Sequence, residues 1–157
     1  RIGPSAIEPL VDALRDSDVR EVATQALWKI DPNWAKSAAA RAAIPGLVAQ
    51  LQDSDENLRR SAATVLGHIE NTQAVEALLA ALRDPNEGVQ EAAATALGQI
   101  GDPRAILSLV AALKSGAVKA RKAIAEALVR IGSSLVDPLV NALKGKDAAV
   151  REATAAV

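Results

Sequence analysis

The chain has 157 residues, of which 50% are apolar, and a formal net charge of −1 at neutral pH. It contains no Cys, Met, Phe or Tyr, so two Trp are its only aromatic residues. The absence of Cys excludes disulfides, thiolate catalysis and Cys-ligated metals. The near-zero net charge predicts no general attraction to nucleic acids or membranes, and no apolar run approaches the roughly 20 residues of a membrane span.

The predicted elements are helices that recur in pairs along the chain. In each pair, the first helix closes on a leucine, and these leucines are Leu14, Leu51, Leu82, Leu113 and Leu143. A second segment follows: residues 58–69 align without a gap with residues 89–100, and also with 19–30 and 120–131. Apolar residues recur at three- and four-residue spacing in both segments, which predicts amphipathic helices.

Turn signals separate the predicted helices at regular places. The Gly-Asp-Pro motif at 101–103 is a helix stop followed by a helix start, and residues 53–55 and 84–86 are predicted tight turns within a pair. A lone helical hairpin cannot bury its apolar face, so the units are expected to stack. We predict repeats at about 4–30, 43–70, 72–101 and 103–132, an incomplete repeat at 133–157, and an insertion at about 31–42.

Residues 51–69 and 82–102 resemble LxDxDxxVRxxAAxALGxIGD, the consensus of the short HEAT-like repeats named for the phycobilisome lyases. The resemblance covers essentially the whole chain. It implies an all-α fold, a right-handed α-α superhelix with a repeat of about 31 residues, in which second helices form the concave side. It does not specify a function, because such repeats occur in scaffolds, adaptors and enzyme accessory subunits alike. Residues 1–3 match residues 130–132, so further repeats are expected at both ends of a longer parent array.

The first repeat departs from the pattern. Its inter-helix turn is two residues shorter than the others, and the insertion that follows is predicted to form a short extra helix near residues 34–42. Trp28 stands where the later repeats have Gly67 and Gly98, and Trp34 lies in the insertion. Two interpretations stay open for both tryptophans: they are anchors for a partner, since Trp is enriched at binding hot spots, or they fill the space that the insertion leaves.

Charged residues recur at two neighbouring positions near the start of the second helices. The first position is basic in four of five repeats and reads Arg20, Arg59, Gln90, Arg121 and Arg151. The HEAT-like resemblance implies that these side chains pair with turn aspartates in a ladder between units. The candidate aspartates are Asp16, Asp53 and Asp84. The next position alternates in sign, which predicts ion pairs between repeats; it reads Glu21, Arg60, Glu91, Lys122 and Glu152.

Little in the sequence indicates catalysis. His68 is the only histidine, and a single His without Cys does not make a zinc site. No nucleophile elbow or phosphate-binding loop is present. We therefore expect no enzymatic activity, no cofactor and no catalytic or metal site.

The leading hypothesis is a scaffold that presents the concave face of its second helices to a protein partner of unknown identity. Three alternatives stay open. The first is an accessory subunit of an enzyme, for which the phycobilisome-lyase resemblance implies a tetrapyrrole chromophore. The second is nucleic-acid binding through the basic fourth repeat, a partner that the alternating charges disfavour, and the third is a spacer, with binding done by other repeats of the parent chain. The candidate partner-binding residues are Glu21, Gln25, Lys29, Arg60, Thr64, His68, Glu91, Thr95, Gln99, Lys119, Lys122, Glu126 and Arg130, with Trp28 and Trp34 as aromatic anchors.

Overall fold

The computed structural model describes residues 6–14, 16, 19–114 and 120–144, and this part of the chain is helical with no strand. The helices are α1 (Ile7–Ala13), α2 (Arg20–Ile30), α3 (Ala38–Gln50), α4 (Glu56–Ile69), α5 (Val75–Ala81), α6 (Glu87–Ile100), α7 (Ile106–Lys114) and α8 (Arg121–Lys144). Short 3-10 turns precede α3, α5 and α7. The predicted all-α class is confirmed. None of the described helices is both long and apolar enough to cross a membrane.

Short polar side chains start the helices at the predicted turns. Asp55 accepts a hydrogen bond from the backbone N–H of Asn57 at the start of α4, and Asn86 accepts from Gly88 and Val89 at the start of α6. Each bond satisfies an amide that the first helical turn leaves without a partner. Gly101 ends α6 with φ of 73°, a left-handed conformation that glycine adopts without strain.

The second helices of successive pairs pack side by side, α4 against α6 and α6 against α8, and each first helix packs on its own partner. Glycine allows these second helices to approach closely. A Cβ atom added at Gly67 would lie 2.8 Å from the Ala96 Cα, and one added at Gly98 would lie 2.8 Å from the Ala127 Cα. Both distances are shorter than van der Waals contact, so the two junctions require the absence of a side chain.

The insertion differs from its prediction. Residues 34–36 form a 3-10 turn, and the Ala-rich segment that follows is the N-terminal part of α3 rather than a separate short helix. Ser37 caps α3 by accepting from the Ala40 N–H at 3.1 Å. The helix then continues through Pro45, because the alanines are strong helix formers and no turn residue separates them from the rest of the helix.

The predicted helix boundary near residue 132 is also absent, since α8 runs without a break from Arg121 to Lys144. The Ser133 hydroxyl donates to the Val129 carbonyl and the Ser134 hydroxyl to the Ile131 carbonyl, so both serines satisfy themselves within the helix. Gly132 is followed directly by Ser133 and Ser134, whereas Gly101 is followed directly by Asp102 and Pro103. The remainder of the expected fifth repeat, residues 145–157, lies outside the described residues.

Candidate binding groove on the second helices

A groove of about 960 Å³ lies on the shared face of α2, α4 and α6. It is lined by Arg20, Thr24, Gln25, Trp28, Asp55, Asn57, Arg60, Ser61, Thr64, His68, Gly88, Glu91, Ala92, Thr95 and Gln99. The structure therefore brings together eight residues that the sequence singled out, on one face of three neighbouring helices: Gln25, Trp28, Arg60, Thr64, His68, Glu91, Thr95 and Gln99.

The other candidate residues do not line this groove. Lys29 is exposed near the end of α2, and Arg130 is exposed within α8. The Lys122 ammonium lies 3.8 Å from the Glu126 carboxylate one turn later in α8, which leaves the lysine partly compensated as a contact for an anion. The Lys119 and Glu21 side chains lie outside the described part of the chain.

The two tryptophans have different environments. Trp34 is fully buried, and the 3-10 turn that carries it contacts α2, α3 and α4, so Trp34 fills the space between these helices. Trp28 is 40% exposed and lines the groove. Its ring makes perpendicular contacts with Trp34, at 6.1 Å between centroids, and with His68, at 5.4 Å. Such edge-to-face contacts are favourable, and they hold the Trp28 indole in one position.

Trp28 also explains why the groove lies beside α2. The equivalent positions in α4 and α6 are Gly67 and Gly98, through which those helices touch their successors. An indole at this position prevents the same approach of α2 to α4. The sequence contained this signal as the replacement of glycine by tryptophan, but it did not reveal that Arg20, Asp55 and Asn57 would line the groove as well.

Arg20 lies at one end of the groove and is itself buried, with 6% exposure. Its Nε donates to the Leu14 carbonyl at 2.8 Å and one terminal nitrogen donates to the Asn57 carbonyl at 3.1 Å, so the side chain links α2 to α4. Burial lowers the pKa of the Arg20 guanidinium, and the neighbouring Asp55 carboxylate opposes that change.

His68 is half-buried at the other end of the groove. Burial lowers the pKa of its imidazole, because the charged form loses hydration, and the Glu70 carboxylate partly offsets this. Burial thus favours the neutral form of the ring, which packs perpendicular to the Trp28 ring. The ring neighbour of His68 is the Trp28 indole, which offers no metal ligand. Among the described residues, no group of three or more His, Asp or Glu side chains could hold a metal ion.

The predicted ladder is present between the second and third pairs. Arg59 makes a two-point contact with Asp84, at 2.7 and 3.0 Å, and its remaining donor reaches the Asp53 and Ser54 carbonyls. Gln90 makes the corresponding bond to the Asp84 carbonyl at 2.6 Å. These contacts hold successive turns together at the edge of the array.

The predicted ion pairs at the alternating position are absent from the described residues, where no ion pair joins Arg60 to Glu91 or Glu91 to Lys122. The Arg60 guanidinium instead donates to the Asn57 side chain at 3.3 Å, and Lys122 pairs within its own helix. A hydrated long side chain gains little from pairing at the surface. The charges of Arg60 and Glu91 consequently face the groove.

Comparisons with known proteins agree with this architecture. The family model described as HEAT repeats matches residues 44–128. A chain from the complex of CpcE and CpcF of phycocyanin lyase from Nostoc sp. PCC7120 is 29% identical, with a TM-score of 0.66 over 95% of this chain. The alignment spans 62% of that Nostoc chain. An engineered protein, 24% identical with a TM-score of 0.58 over 96% of this chain and 76% of its own, shares the fold. No curated protein matches the chain. The match over residues 44–128 and the stacked helical hairpins show that the chain belongs to the HEAT repeat family.

Proposed function

We propose that this chain is a protein-interaction scaffold that binds a segment of its partner in the groove on α2, α4 and α6. The observation that carries the proposal is the half-exposed Trp28 at the groove, held by Trp34 and His68. Tryptophan supplies large contact area and is enriched among residues that dominate binding energy. An indole already fixed in position loses little conformational entropy when a partner covers it.

The rest of the groove suits a peptide. The Thr64 and Thr95 hydroxyls donate to carbonyls in their own helices, so they need no acceptor from a ligand. Their oxygens can still accept a hydrogen bond from a ligand. The side-chain amides of Gln25 and Gln99 line the groove beside them. An extended peptide has unpaired backbone N–H and C=O groups, and side-chain amides supply both a donor and an acceptor for them.

A photo-crosslinking experiment tests this proposal. A photoreactive amino acid is placed at Thr64 in the groove, and a matched variant carries it at Ala80, which is exposed on α5 outside the groove. In lysate from the source organism, we expect a defined protein adduct from the Thr64 variant, reduced by Trp28→Ala. Adducts of equal yield from both positions, or adducts that ignore Trp28, would contradict the assignment.

A second candidate is an accessory subunit of a lyase complex, and the observation that favours it is the 29% identity to a chain of the phycocyanin lyase complex. For this function the groove would hold a phycobilin, with Arg60 near its carboxylates and Trp28 against its rings. Mixing the protein with a phycobilin would then shift the visible absorption of the chromophore. The shift should disappear in Trp28→Ala and persist in Ala80→Gln, and an unchanged spectrum with the unmodified protein would count against this candidate.

A further inference from the structure

We infer that the partner segment continues from the groove on α2, α4 and α6 onto α8 in an extended polyproline II conformation, and that it carries acidic, basic and acidic side chains at positions n, n+3 and n+6. This inference rests on the proposed function and specifies the partner. Its basis is the charge row, which consists of Arg60, Glu91 and Lys122, the same position in three successive second helices.

The charge row is open to a partner. All three side chains are exposed. Arg60 and Glu91 line the groove and form no ion pair with each other in the described part of the chain. Lys122 has a 3.8 Å contact with Glu126, in which 88% and 64% of the two side chains remain exposed, so a partner carboxylate can replace or share it.

The spacing of the charge row selects the conformation of the ligand. α4 and α6 touch at Gly67, and α6 and α8 touch at Gly98, so neighbouring axes lie at about 8–10 Å, the usual range for packed helices. A polyproline II segment rises about 3.1 Å per residue with three residues per turn. Every third side chain therefore returns to the same face after about 9 Å, which matches one step along the charge row. A β-strand would direct residues n and n+3 to opposite faces.

The order of signs then gives specificity. A segment with acidic, basic and acidic residues meets Arg60, Glu91 and Lys122 with three opposite charges. A segment with the opposite signs, basic, acidic and basic, meets three like charges, which repel. The acidic–basic–acidic pattern reads the same in both chain directions, so the discrimination does not depend on which way the segment runs. Because the row is exposed, the discrimination should weaken as salt is added.

The test is a selection from a displayed library of random 12-residue peptides on the complete 157-residue chain. Peptides that bind through the groove are identified by their loss of binding to the Trp28→Ala variant. Among these, we expect enrichment of an acidic residue at n, a basic residue at n+3 and an acidic residue at n+6, with Pro between them. A charge-row variant, Arg60→Glu/Glu91→Arg/Lys122→Glu, should bind the selected peptides at least tenfold more weakly at low salt. When the library is selected on this variant, we expect a basic residue at n, an acidic residue at n+3 and a basic residue at n+6.

The variant is informative because its three sites are exposed, and unchanged helical circular dichroism would verify that it folds. Groove-dependent peptides without the three-residue charge spacing, or a pattern that does not invert with the charge-row variant, would overturn this inference and leave the proposed groove function standing. A failure to select any peptide that depends on Trp28 would overturn both.

Discussion

Replacing Trp34 by Ala tests whether the insertion serves as a structural plug. The Trp34 side chain is 0% exposed. A buried aromatic side chain removes about 150–250 Å² from water, which corresponds to about 4–6 kcal/mol at about 25 cal/mol per Å². Aromatic-to-Ala substitutions in cores cost about 3–5 kcal/mol. We therefore expect Trp34→Ala to lower the free energy of unfolding by about 4 kcal/mol.

The buried indole N–H of Trp34 has no hydrogen-bond partner among the residues that the structure describes. Trp34→Phe removes this unsatisfied donor together with part of the ring. A buried donor without a partner costs about 1–3 kcal/mol, and removing that cost offsets part of the lost packing. We expect Trp34→Phe to cost less than about 2 kcal/mol. The matched control is Trp28→Ala, which removes a ring that is 40% exposed and should therefore cost about three-fifths as much on the same area scale, about 2.5–3.5 kcal/mol.

Urea unfolding followed by circular dichroism at 222 nm measures all three variants, since helical signal does not depend on the tryptophans being replaced. Equal losses for Trp34→Ala and Trp28→Ala, or a loss below about 1 kcal/mol for Trp34→Ala, would refute the interpretation of Trp34 as a plug. In that case the contacts among α2, α3 and α4 would have to be maintained by their aliphatic residues alone.

Three further predictions concern contacts away from the tryptophans. Gly98→Val forces a side chain against the α8 backbone and should cost about 1–3 kcal/mol in urea unfolding, whereas Gly132→Val, where an added Cβ meets nothing within 4 Å, should cost little. Burial would raise the pKa of Asp84, but its bonds to Arg59 and to a backbone N–H lower it overall. The stabilisation from the ionised Asp84 is present above the unfolded-state pKa of about 4 and is lost as pH falls through the folded-state pKa. Arg59→Gln should therefore lower the melting temperature at pH 7 more than at pH 2. An equal loss at the two pH values would contradict the pairing of Arg59 with Asp84. Ser37→Ala removes the cap of α3 and should cost about 1 kcal/mol, while Ser37→Asp should retain most of the stability, and equal losses would argue against the cap.

The sequence was sufficient for features that depend on neighbouring residues. The turns at 53–55 and 84–86 depend on adjacent residues, so α4 and α6 start directly after the predicted turns, at Glu56 and Glu87. The Arg59–Asp84 contact was implied by the HEAT-like resemblance, in which an Arg of the second helix pairs with a turn Asp in a ladder between units.

The features that were mispredicted depend on a balance between local and distant contacts. The Ala-rich segment joins α3 because Ser37 supplies a cap before it and nothing stops the helix afterwards. The break expected near Gly132 is absent because no helix-starting Asp-Pro directly follows this glycine, and the Ser133 and Ser134 hydroxyls find acceptors inside α8. Among the described members of the alternating position, Arg60, Glu91 and Lys122, the expected ion pairs are absent. Opposite charges on adjacent helices are necessary for an ion pair, but they do not by themselves bring the two side chains into contact.

The position of the groove follows from the size of one side chain in a repeated frame. Gly67 and Gly98 bring α4 to α6 and α6 to α8, so the helices at those junctions leave no space between them. The same position in α2 holds Trp28, whose ring must lie on the surface of the array because the buried space beside it is taken by Trp34. The insertion and the substitution are therefore complementary: Trp34 fills the gap between helices, and Trp28, supported by it, is left at the groove. A local departure from the repeat thus creates a distinct surface while the glycine junctions keep the rest of the array regular.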